Sequence, residues 1–224
     1  NAYNGLQRLA FDDGTVWDLA RILAELGLAS NGDGGWLPGS AGNDLLVGTD
    51  GYEEIDGGDG DDAIYGGGDG DDLYGGDGND ALVGGAGGDY IDGGRGDDLI
   101  DGGAGNEWYY STAGSDTFLF GRGDGQDLLY YGYDQDAGYG EGGSTRVGTL
   151  QMRAGVRPED VLAERVYDNN WGGNRALRLT IVDTGDSFTV NGFLVDDPVN
   201  GLYNPLHQVV FEDGTVWTAE WLAA

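Results

Sequence analysis

Residues 57–101 read GGDGDDAIY, GGGDGDDLY, GGDGNDALV, GGAGGDYID and GGRGDDLID, which are five consecutive blocks of nine residues. The same period extends in both directions, so that residues 39–119 divide into nine blocks. The sixth place of every block is acidic, and the eighth place is large and apolar. Glycine stands first in all blocks but the last, and fourth in all but one. A period that keeps such different residue classes in phase indicates a repeat architecture.

Each block predicts a tight turn followed by a short strand. Glycines at places one, two and four allow positive φ, and without a Cβ they leave the backbone carbonyls unshielded. Places seven to nine are extended, and the alternation of side chains along a strand points place eight inward. Two blocks therefore make one coil, and stacked coils form two parallel sheets. The predicted fold is all-β, a parallel β-roll (β-helix) with a thin core of place-eight side chains.

The turns of this roll predict cation sites. Residues 39–119 contain 20 acidic side chains and one base, Arg95. One carboxylate per turn plus exposed carbonyls is an all-oxygen ligand set, which suits calcium because calcium accepts irregular geometry. Magnesium is the weaker candidate because it requires a near-ideal octahedron. Nine turns in two stacks, with one ion between stacked neighbours, give about seven calcium ions.

The blocks closely resemble the RTX (repeat-in-toxin, haemolysin-type) nonapeptide Gly-Gly-x-Gly-x-Asp-x-U-x, where U is large and apolar. The resemblance implies that calcium ions lie between successive turns on each edge of the roll. It implies one set of side-chain ligands on one edge: Asp44, Asp62, Asp80, Asp98 and Asp116. It implies a second set on the other edge: Glu53, Asp71, Asp89 and Glu107. Turn carbonyls complete the sites around Gly39, Gly42, Gly48, Gly51, Gly57, Gly60, Gly66, Gly75, Gly78, Gly84, Gly87, Gly93, Gly96, Gly102 and Gly105.

Several blocks depart from the repeat pattern. Glu53 and Glu107 are one methylene longer than aspartate, so we expect their sites to be weaker or empty. The fourth-place glycine of one block is shifted to Gly70, which leaves Asp71 and Asp72 as alternative ligands.

A second repeat has a period of 200 residues. Residues 11–17 read FDDGTVW and residues 211–217 read FEDGTVW. Asp-Gly between hydrophobic residues is a strong hairpin signal. We infer that the chain carries the tail of one unit and then a complete further unit, as a piece of a longer tandem protein.

The chain divides into three parts on this basis. Residues 1–38 are predicted to be a flank with the hairpin and a helix over 18–28, and residues 39–119 are the roll. Residues 120–224 are predicted to be a mostly β cap, with strands over 145–152, 161–167 and 175–183 and a final short helix. The cap resembles the non-repetitive region that follows the calcium repeats in many RTX proteins, which implies that it nucleates the roll.

Composition excludes several classes of protein. With 41 acidic and 10 basic side chains, the net charge of −31 repels nucleic acid. No cysteine is present, which excludes disulfides and zinc–thiolate sites. No apolar stretch is long enough for a membrane span, and the first residues do not read as a signal peptide. His207 is the only histidine and no G-x-S-x-G motif occurs, so we expect no enzyme activity.

The sequence therefore predicts a calcium-binding module of a secreted bacterial protein, extracellular or on the cell surface. It would fold on meeting extracellular calcium, and the RTX resemblance implies export by type I secretion machinery. One alternative is an adhesion or polysaccharide-binding module that neighbours other tandem units. Aromatic faces beside carboxylates would then contact a glycan, with candidate ligand residues Tyr130, Tyr131, Tyr133 and Trp171. A second alternative is a non-catalytic appendage of an exoenzyme or toxin.

Overall fold

The computed structural model describes residues 8–10, 16–18, 35–111, 114–131, 148–168, 174–191, 193 and 206–224. The first ten strands are β1 Arg8–Ala10, β2 Val16–Asp18, β3 Gly35–Ser40, β4 Leu45–Val47, β5 Glu53–Asp59, β6 Ala63–Gly68, β7 Asp72–Asp77, β8 Ala81–Gly87, β9 Tyr90–Arg95 and β10 Leu99–Gly105. The others are β11 Trp108–Ser111, β12 Thr117–Phe120, β13 Gln126–Tyr131, β14 Thr149–Met152, β15 Val161–Asp168, β16 Asn174–Ile181, β17 Ser187–Val190, β18 Gln208–Val210 and β19 Val216–Thr218. A 3-10 turn covers Pro158–Asp160, and helix α1 covers Ala219–Ala223.

Successive strands of the repeat alternate between two parallel sheets. One sheet has the order β19-β18-β14-β12-β10-β8-β6-β4, and the other has the order β15-β16-β17-β13-β11-β9-β7-β5-β3. The pairing joins equivalent places 18 residues apart, as in Ile64↔Leu82 and Ile55↔Leu73. The chain therefore forms a β-solenoid of about five turns, which confirms the predicted parallel β-roll.

The core of the roll is one row of side chains per sheet. Buried and half-buried residues alternate along the strands, as the two-residue period of a strand requires. The place-eight residues are all buried: Leu46, Ile55, Ile64, Leu73, Leu82, Ile91, Ile100, Tyr109 and Phe118. The same hydrophobic cluster continues through Leu129, Leu150 and Phe188. Sheets and core thus run on past residue 119 into the cap.

The cap closes the roll with two hairpins. Strands β15, β16 and β17 pair antiparallel, and β17 is parallel to β13. Strand β18 is parallel to β14 and antiparallel to β19. The strands predicted around residues 145–152, 161–167 and 175–183 are present as β14, β15 and β16, with shifted ends. The division at residues 38/39 and 119/120 stays a prediction.

The predicted N-terminal hairpin is present as the pair β1–β2. Its register is Arg8↔Asp18, Leu9↔Trp17 and Ala10↔Val16. The C-terminal hairpin pairs Gln208↔Thr218, Val209↔Trp217 and Val210↔Val216. The two hairpins therefore share one register at an offset of 200 residues. Apart from Asp18, the helix predicted over 18–28 lies outside the described residues.

Candidate calcium-binding turns

The acidic residue at place six of each block ends the turn and points into the roll. From Glu53 to Asp116, all eight of these side chains are buried, with at most 3% of their surface exposed. The first member, Asp44, is half-buried in the outermost coil. Their positions follow from local sequence, because the place-six residue directly precedes the strand that carries the buried place-eight residue. Burial without a cation partner is unusual for so many carboxylates.

In the six place-six aspartates from Asp62 to Asp116, one carboxylate oxygen accepts a hydrogen bond from the backbone of the preceding coil. The backbone N–H of Asp62 donates to Asp80 Oδ1 at 2.8 Å, and that of Glu53 donates to Asp71 Oδ1 at 2.8 Å. The same 18-residue contact recurs along both edges at 2.8–3.2 Å. Each predicted ligand set is thus brought together on its own edge of the roll.

Seven buried carboxylates in the described part of the chain have at least one oxygen without a hydrogen-bond partner. This applies to Oδ2 of five aspartates, to both oxygens of Glu107 and to Oδ2 of Asp127, all of them buried. The five aspartates are Asp62, Asp71, Asp80, Asp89 and Asp98. Because an unpaired buried polar group is costly, these oxygens require a partner that the described residues do not supply.

The unpaired oxygens converge with carbonyl oxygens at the place-one glycines. A Cβ added at Gly57 would lie 2.4 Å from both Asp62 Oδ2 and Gly75 O. At Gly75 the corresponding distances are 2.5 Å to Asp80 Oδ2 and 2.3 Å to Gly93 O. The glycine therefore permits a close approach of the carboxylate oxygen to the carbonyl oxygen of the next coil. Both are oxygen ligands of the kind that calcium binds, so the donor set of this turn fits a calcium ion.

Carbonyl oxygens are necessary members of any such site. Within the described ranges, no three His, Asp or Glu side chains converge into a group that could hold a metal ion. A cation in these turns would therefore combine carboxylates from stacked coils with backbone oxygens, which is a ligand set that calcium accepts.

The first two turns differ from the others. Asp44 Oδ2 accepts hydrogen bonds from the backbone N–H of Ser40 at 2.6 Å and from its hydroxyl at 2.8 Å. Glu53 likewise accepts from the N–H and hydroxyl of Thr49 at 2.8 and 2.6 Å. Ser40 and Thr49 stand at place two, where the next six blocks carry glycine. The N–H and hydroxyl groups of the place-two residue thus provide hydrogen bonds to the carboxylate of the same block.

Burial raises the pKa values of the unpaired carboxylates. Loss of solvation is the largest cause in each case, opposed by the hydrogen bond from the preceding coil. It raises the pKa of Asp80 and Asp89 to about 6, and that of Asp71 to about 7. It raises the pKa of Asp98 to about 8, with the neighbouring Asp116 adding to the rise. The site therefore carries unfavourable negative charge that a divalent cation would neutralise.

The structure distinguishes between the alternatives at the shifted glycine. Asp71 is 1% exposed and belongs to the row of unpaired oxygens. Asp72 is half-buried and points outward from β7, where its Oδ2 accepts a hydrogen bond from the Tyr52 hydroxyl at 2.8 Å. Asp69, which occupies the missing glycine's place, has φ of 59°, a conformation that glycine adopts at lower cost.

One residue of the row was missed by the sequence prediction. Asp127 is 2% exposed, and its Oδ1 accepts from the backbone N–H of Glu107 at 3.3 Å. It extends the second edge by one coil, with a spacing of 20 residues instead of 18. Burial raises the pKa of both Glu107 and Asp127. The signal was the sequence Gly125-Gln126-Asp127-Leu128-Leu129, which repeats places four to eight after two inserted residues.

The candidate glycan residues are not all described. Tyr130 lies on β13 and its ring stacks on Tyr110, with centroids 5.5 Å apart. Tyr131 ends the same strand, whereas Tyr133 and Trp171 lie outside the described residues. His207 precedes β18, and its Nδ1 accepts a hydrogen bond from the backbone N–H of Gly148 at 3.3 Å. Burial lowers the pKa of His207.

Comparison with protein families agrees with this geometry. The family model of the RTX calcium-binding nonapeptide repeat matches four times, over residues 38–73, 57–91, 74–108 and 83–118. The model of the haemolysin-type calcium binding protein related domain matches residues 177–220. The two models together match more than half of the chain. The chain therefore contains RTX calcium-binding nonapeptide repeats, followed by a haemolysin-type calcium-binding related domain.

Whole-chain comparisons add less. A search of curated proteins found no match. One similar solved structure is the extracellular lipase LipA from Serratia marcescens, with a TM-score of 0.28 and 16% identity. The match covers 75% of this chain and 39% of the lipase. Among the described residues, no helix is long and apolar enough to cross a membrane.

Proposed function

We propose that this chain is a calcium-dependent folding module of a secreted bacterial protein. Its ions would bind between stacked turns, about seven in all. The side-chain ligands would be the predicted place-six residues Asp44, Glu53, Asp62, Asp71, Asp80, Asp89, Asp98, Glu107 and Asp116, with Asp127 added at the cap. Place-one carbonyls would complete each site.

The observation that carries this proposal is the row of seven buried carboxylates with unpaired oxygens. Without cations, stacking the coils places like charges side by side at a desolvation cost. The thin core must offset that cost as well as the conformational entropy of a glycine-rich chain. Calcium binds only the stacked form and would therefore stabilise it by mass action.

This linkage suits a protein that works outside the cell. Extracellular calcium sites often have dissociation constants of roughly 10⁻⁴–10⁻³ M, far above cytosolic calcium levels. The chain would stay extended in the cytosol, pass through type I secretion machinery, and fold on meeting extracellular calcium. The second alternative, an appendage of an exoenzyme or toxin, predicts no turnover by these 224 residues with calcium bound.

The test is a calcium titration of the chelated protein followed by far-UV circular dichroism, with magnesium as a control. We expect a cooperative gain of β signal at high-micromolar to millimolar calcium (about the extracellular range). Magnesium should not reproduce it. A chain that is folded in chelator, or that responds equally to magnesium, would contradict the proposal.

A matched pair of variants tests the assignment of ligands. Asp80→Asn keeps the side chain's shape but removes the charge of a buried, unpaired oxygen. We expect its calcium midpoint to rise about tenfold, the equivalent of about 1.4 kcal/mol. Asp59→Asn removes the same charge from the exposed last residue of β5 and should leave the calcium midpoint unchanged. Equal shifts in both variants would indicate general charge screening instead of a defined site.

We further propose that neighbouring units of a tandem parent protein are partners of this module. The support is the shared register of β1–β2 and β18–β19. In the second hairpin, β18 is also parallel to β14. In a tandem protein, β1 would pair with the strand of the preceding unit that corresponds to β14. Mass spectrometry of the native secreted protein would test this by finding several such units in one chain.

A further inference from the structure

One sheet of the roll carries a continuous outward-facing row of aromatic rings and carboxylates. We call the outward positions of β3, β5, β7, β9, β11 and β13 the aromatic face. In register across the strands, these positions are first Trp36, Glu54, Asp72, Tyr90, Trp108 and Leu128, and second Pro38, Asp56, Tyr74, Asp92, Tyr110 and Tyr130. The repeat pattern leaves these two places free to vary, because neither faces the core.

The rings form one contiguous set across four coils. Tyr74 and Tyr90 have centroids 5.6 Å apart, and Tyr90 and Tyr110 are 5.0 Å apart. Tyr130 contacts Tyr110 and also meets Trp108 edge-on at 6.2 Å. With strands about 4.8 Å apart, the distance from Trp36 on β3 to Trp108 on β11 is roughly 19 Å. The row therefore has the dimensions of an extended ligand.

The row presents exposed aromatic surface on β3, at one end, and on β11. Trp36 is 56% exposed and Trp108 is 54% exposed. Tyr52 is 50% exposed, and its hydroxyl donates to Asp72 on the face. Several large aromatic side chains in one exposed row are uncommon unless a partner contacts them.

The chemistry of the row selects the partner. Four carboxylates, on Glu54, Asp56, Asp72 and Asp92, lie among the rings, and none of these twelve positions is basic. Arg95, which is exposed at the end of β9, forms an ion pair with Asp77. Carboxylates accept hydrogen bonds from hydroxyl groups, and aromatic surfaces cover the apolar faces of sugar rings. The same carboxylates repel acidic polysaccharides.

We propose that the aromatic face binds an uncharged, linear polysaccharide along the stack of coils. This proposal rests on the proposed function, because calcium would hold the coils in register. Each ring contact joins residues 16–22 positions apart, so the row depends on that register. Binding should therefore require calcium. This site differs from the loop residues that the sequence suggested, except at Tyr130.

The test is affinity electrophoresis of the calcium-loaded protein in gels containing laminarin, mannan, dextran or alginate. We expect at least one of the three neutral polysaccharides to retard the protein and alginate not to do so. Retardation by none of the neutral polysaccharides, or by alginate alone, would overturn the inference. Circular dichroism of the same samples separates this failure from failure of calcium-driven folding.

Exposed tryptophans provide matched variants. Trp36→Ala and Trp108→Ala should each weaken binding about tenfold, as loss of an aromatic contact residue does. Trp221→Ala removes an equally exposed tryptophan, 55%, from helix α1 and should bind as the unaltered protein does. All three should keep the calcium-induced β signal. An equal loss of binding in Trp221→Ala would show that the retardation does not involve the aromatic face.

Discussion

At the scale of single residues, the place-one glycines have a role beyond flexibility. Gly57 and Gly75 do not have positive φ, so an alanine could adopt their backbone conformation. What excludes a side chain there is the space that its Cβ would fill, between a carboxylate oxygen and the carbonyl of the next coil. The glycine thus permits the close approach of the two oxygens that we propose as calcium ligands.

Gly75→Ala should accordingly abolish calcium-induced folding or raise the calcium midpoint more than tenfold (about 1.4 kcal/mol per factor of ten). Its Cβ would lie 2.3 Å from Gly93 O, which is backbone and cannot move freely. Gly35→Ala is the control, because no atom of the described residues lies within 4 Å of an added Cβ at that position. Circular dichroism against calcium measures both variants. Unchanged folding of Gly75→Ala would argue against this description of the turn.

Asp69 is a residue whose replacement should stabilise the roll. It adopts φ of 59° where other blocks place glycine, which costs an L-residue about 1 kcal/mol, less for aspartate. Asp69→Gly should lower the calcium midpoint slightly and raise the free energy of unfolding by about 0.5 kcal/mol. Urea denaturation at saturating calcium would measure the change. A loss of stability would show that the aspartate side chain contributes more than its backbone strain costs.

At the scale of elements, ion pairs join segments of the cap to one another and, at Asp101, to the roll. Arg153, which follows β14, contacts Asp101 on β10 and donates to Asp124 Oδ2 at 2.9 Å. Arg122 donates to Asp183 and Asp160, each at 3.0 Å. Burial raises the pKa of Asp124, and Arg153 opposes that rise by favouring the charged form. These contacts hold three separate segments against the last coil.

Arg153→Gln should destabilise the calcium-loaded protein by about 2 kcal/mol, because it leaves the buried Asp124 without its cation. Arg157→Gln serves as the matched control. Arg157 is 73% exposed and lies 3.8 Å from Glu159, so its loss should cost less than about 0.5 kcal/mol. Chemical denaturation of both variants at fixed calcium gives the comparison. Equal costs would mean that the Arg153 pairs contribute no more than a surface pair.

At the scale of the whole molecule, the charge of −31 makes folding depend on cations and on pH. Four of the unpaired carboxylates, those of Asp71, Asp80, Asp89 and Asp98, have pKa values raised from 3.8 to between about 6 and about 8. A raised acid pKa means that the folded chain binds protons more tightly than the unfolded chain. Without calcium, the folded form is therefore most disfavoured above about pH 8 and is relieved as the pH falls toward 4.

In chelator, we accordingly expect the β signal to rise as the pH is lowered from about 8 to about 4. Asp98→Asn should show a weaker pH dependence, because it lacks the carboxyl group whose pKa is about 8. Circular dichroism at a series of pH values measures both proteins. A β signal that falls over this range would contradict the pKa values, since it would require carboxylates that favour the folded state when charged.

Much of the roll could be predicted from local sequence. The nine-residue period places an acidic residue at the end of each turn and an apolar residue inside each strand, and these choices depend on neighbours within one block. The hairpin at β1–β2 was likewise predicted from a short motif. The pairing of β17 with β13, and the ion pairs of Arg153 and Arg122, could not be predicted, because they join segments of irregular spacing.

The sequence by itself determined the β-roll, the two edges and the row of acidic residues at place six, because all follow from one period. Only the tertiary structure decided that Asp71 faces inward and Asp72 outward, that Asp127 joins the row, and that tyrosines from four coils form one face. The physical reason is that these relations depend on how successive coils stack. Stacking across a shifted glycine or a two-residue insertion is set by hydrogen bonds and packing between coils, which the residues of one block do not determine.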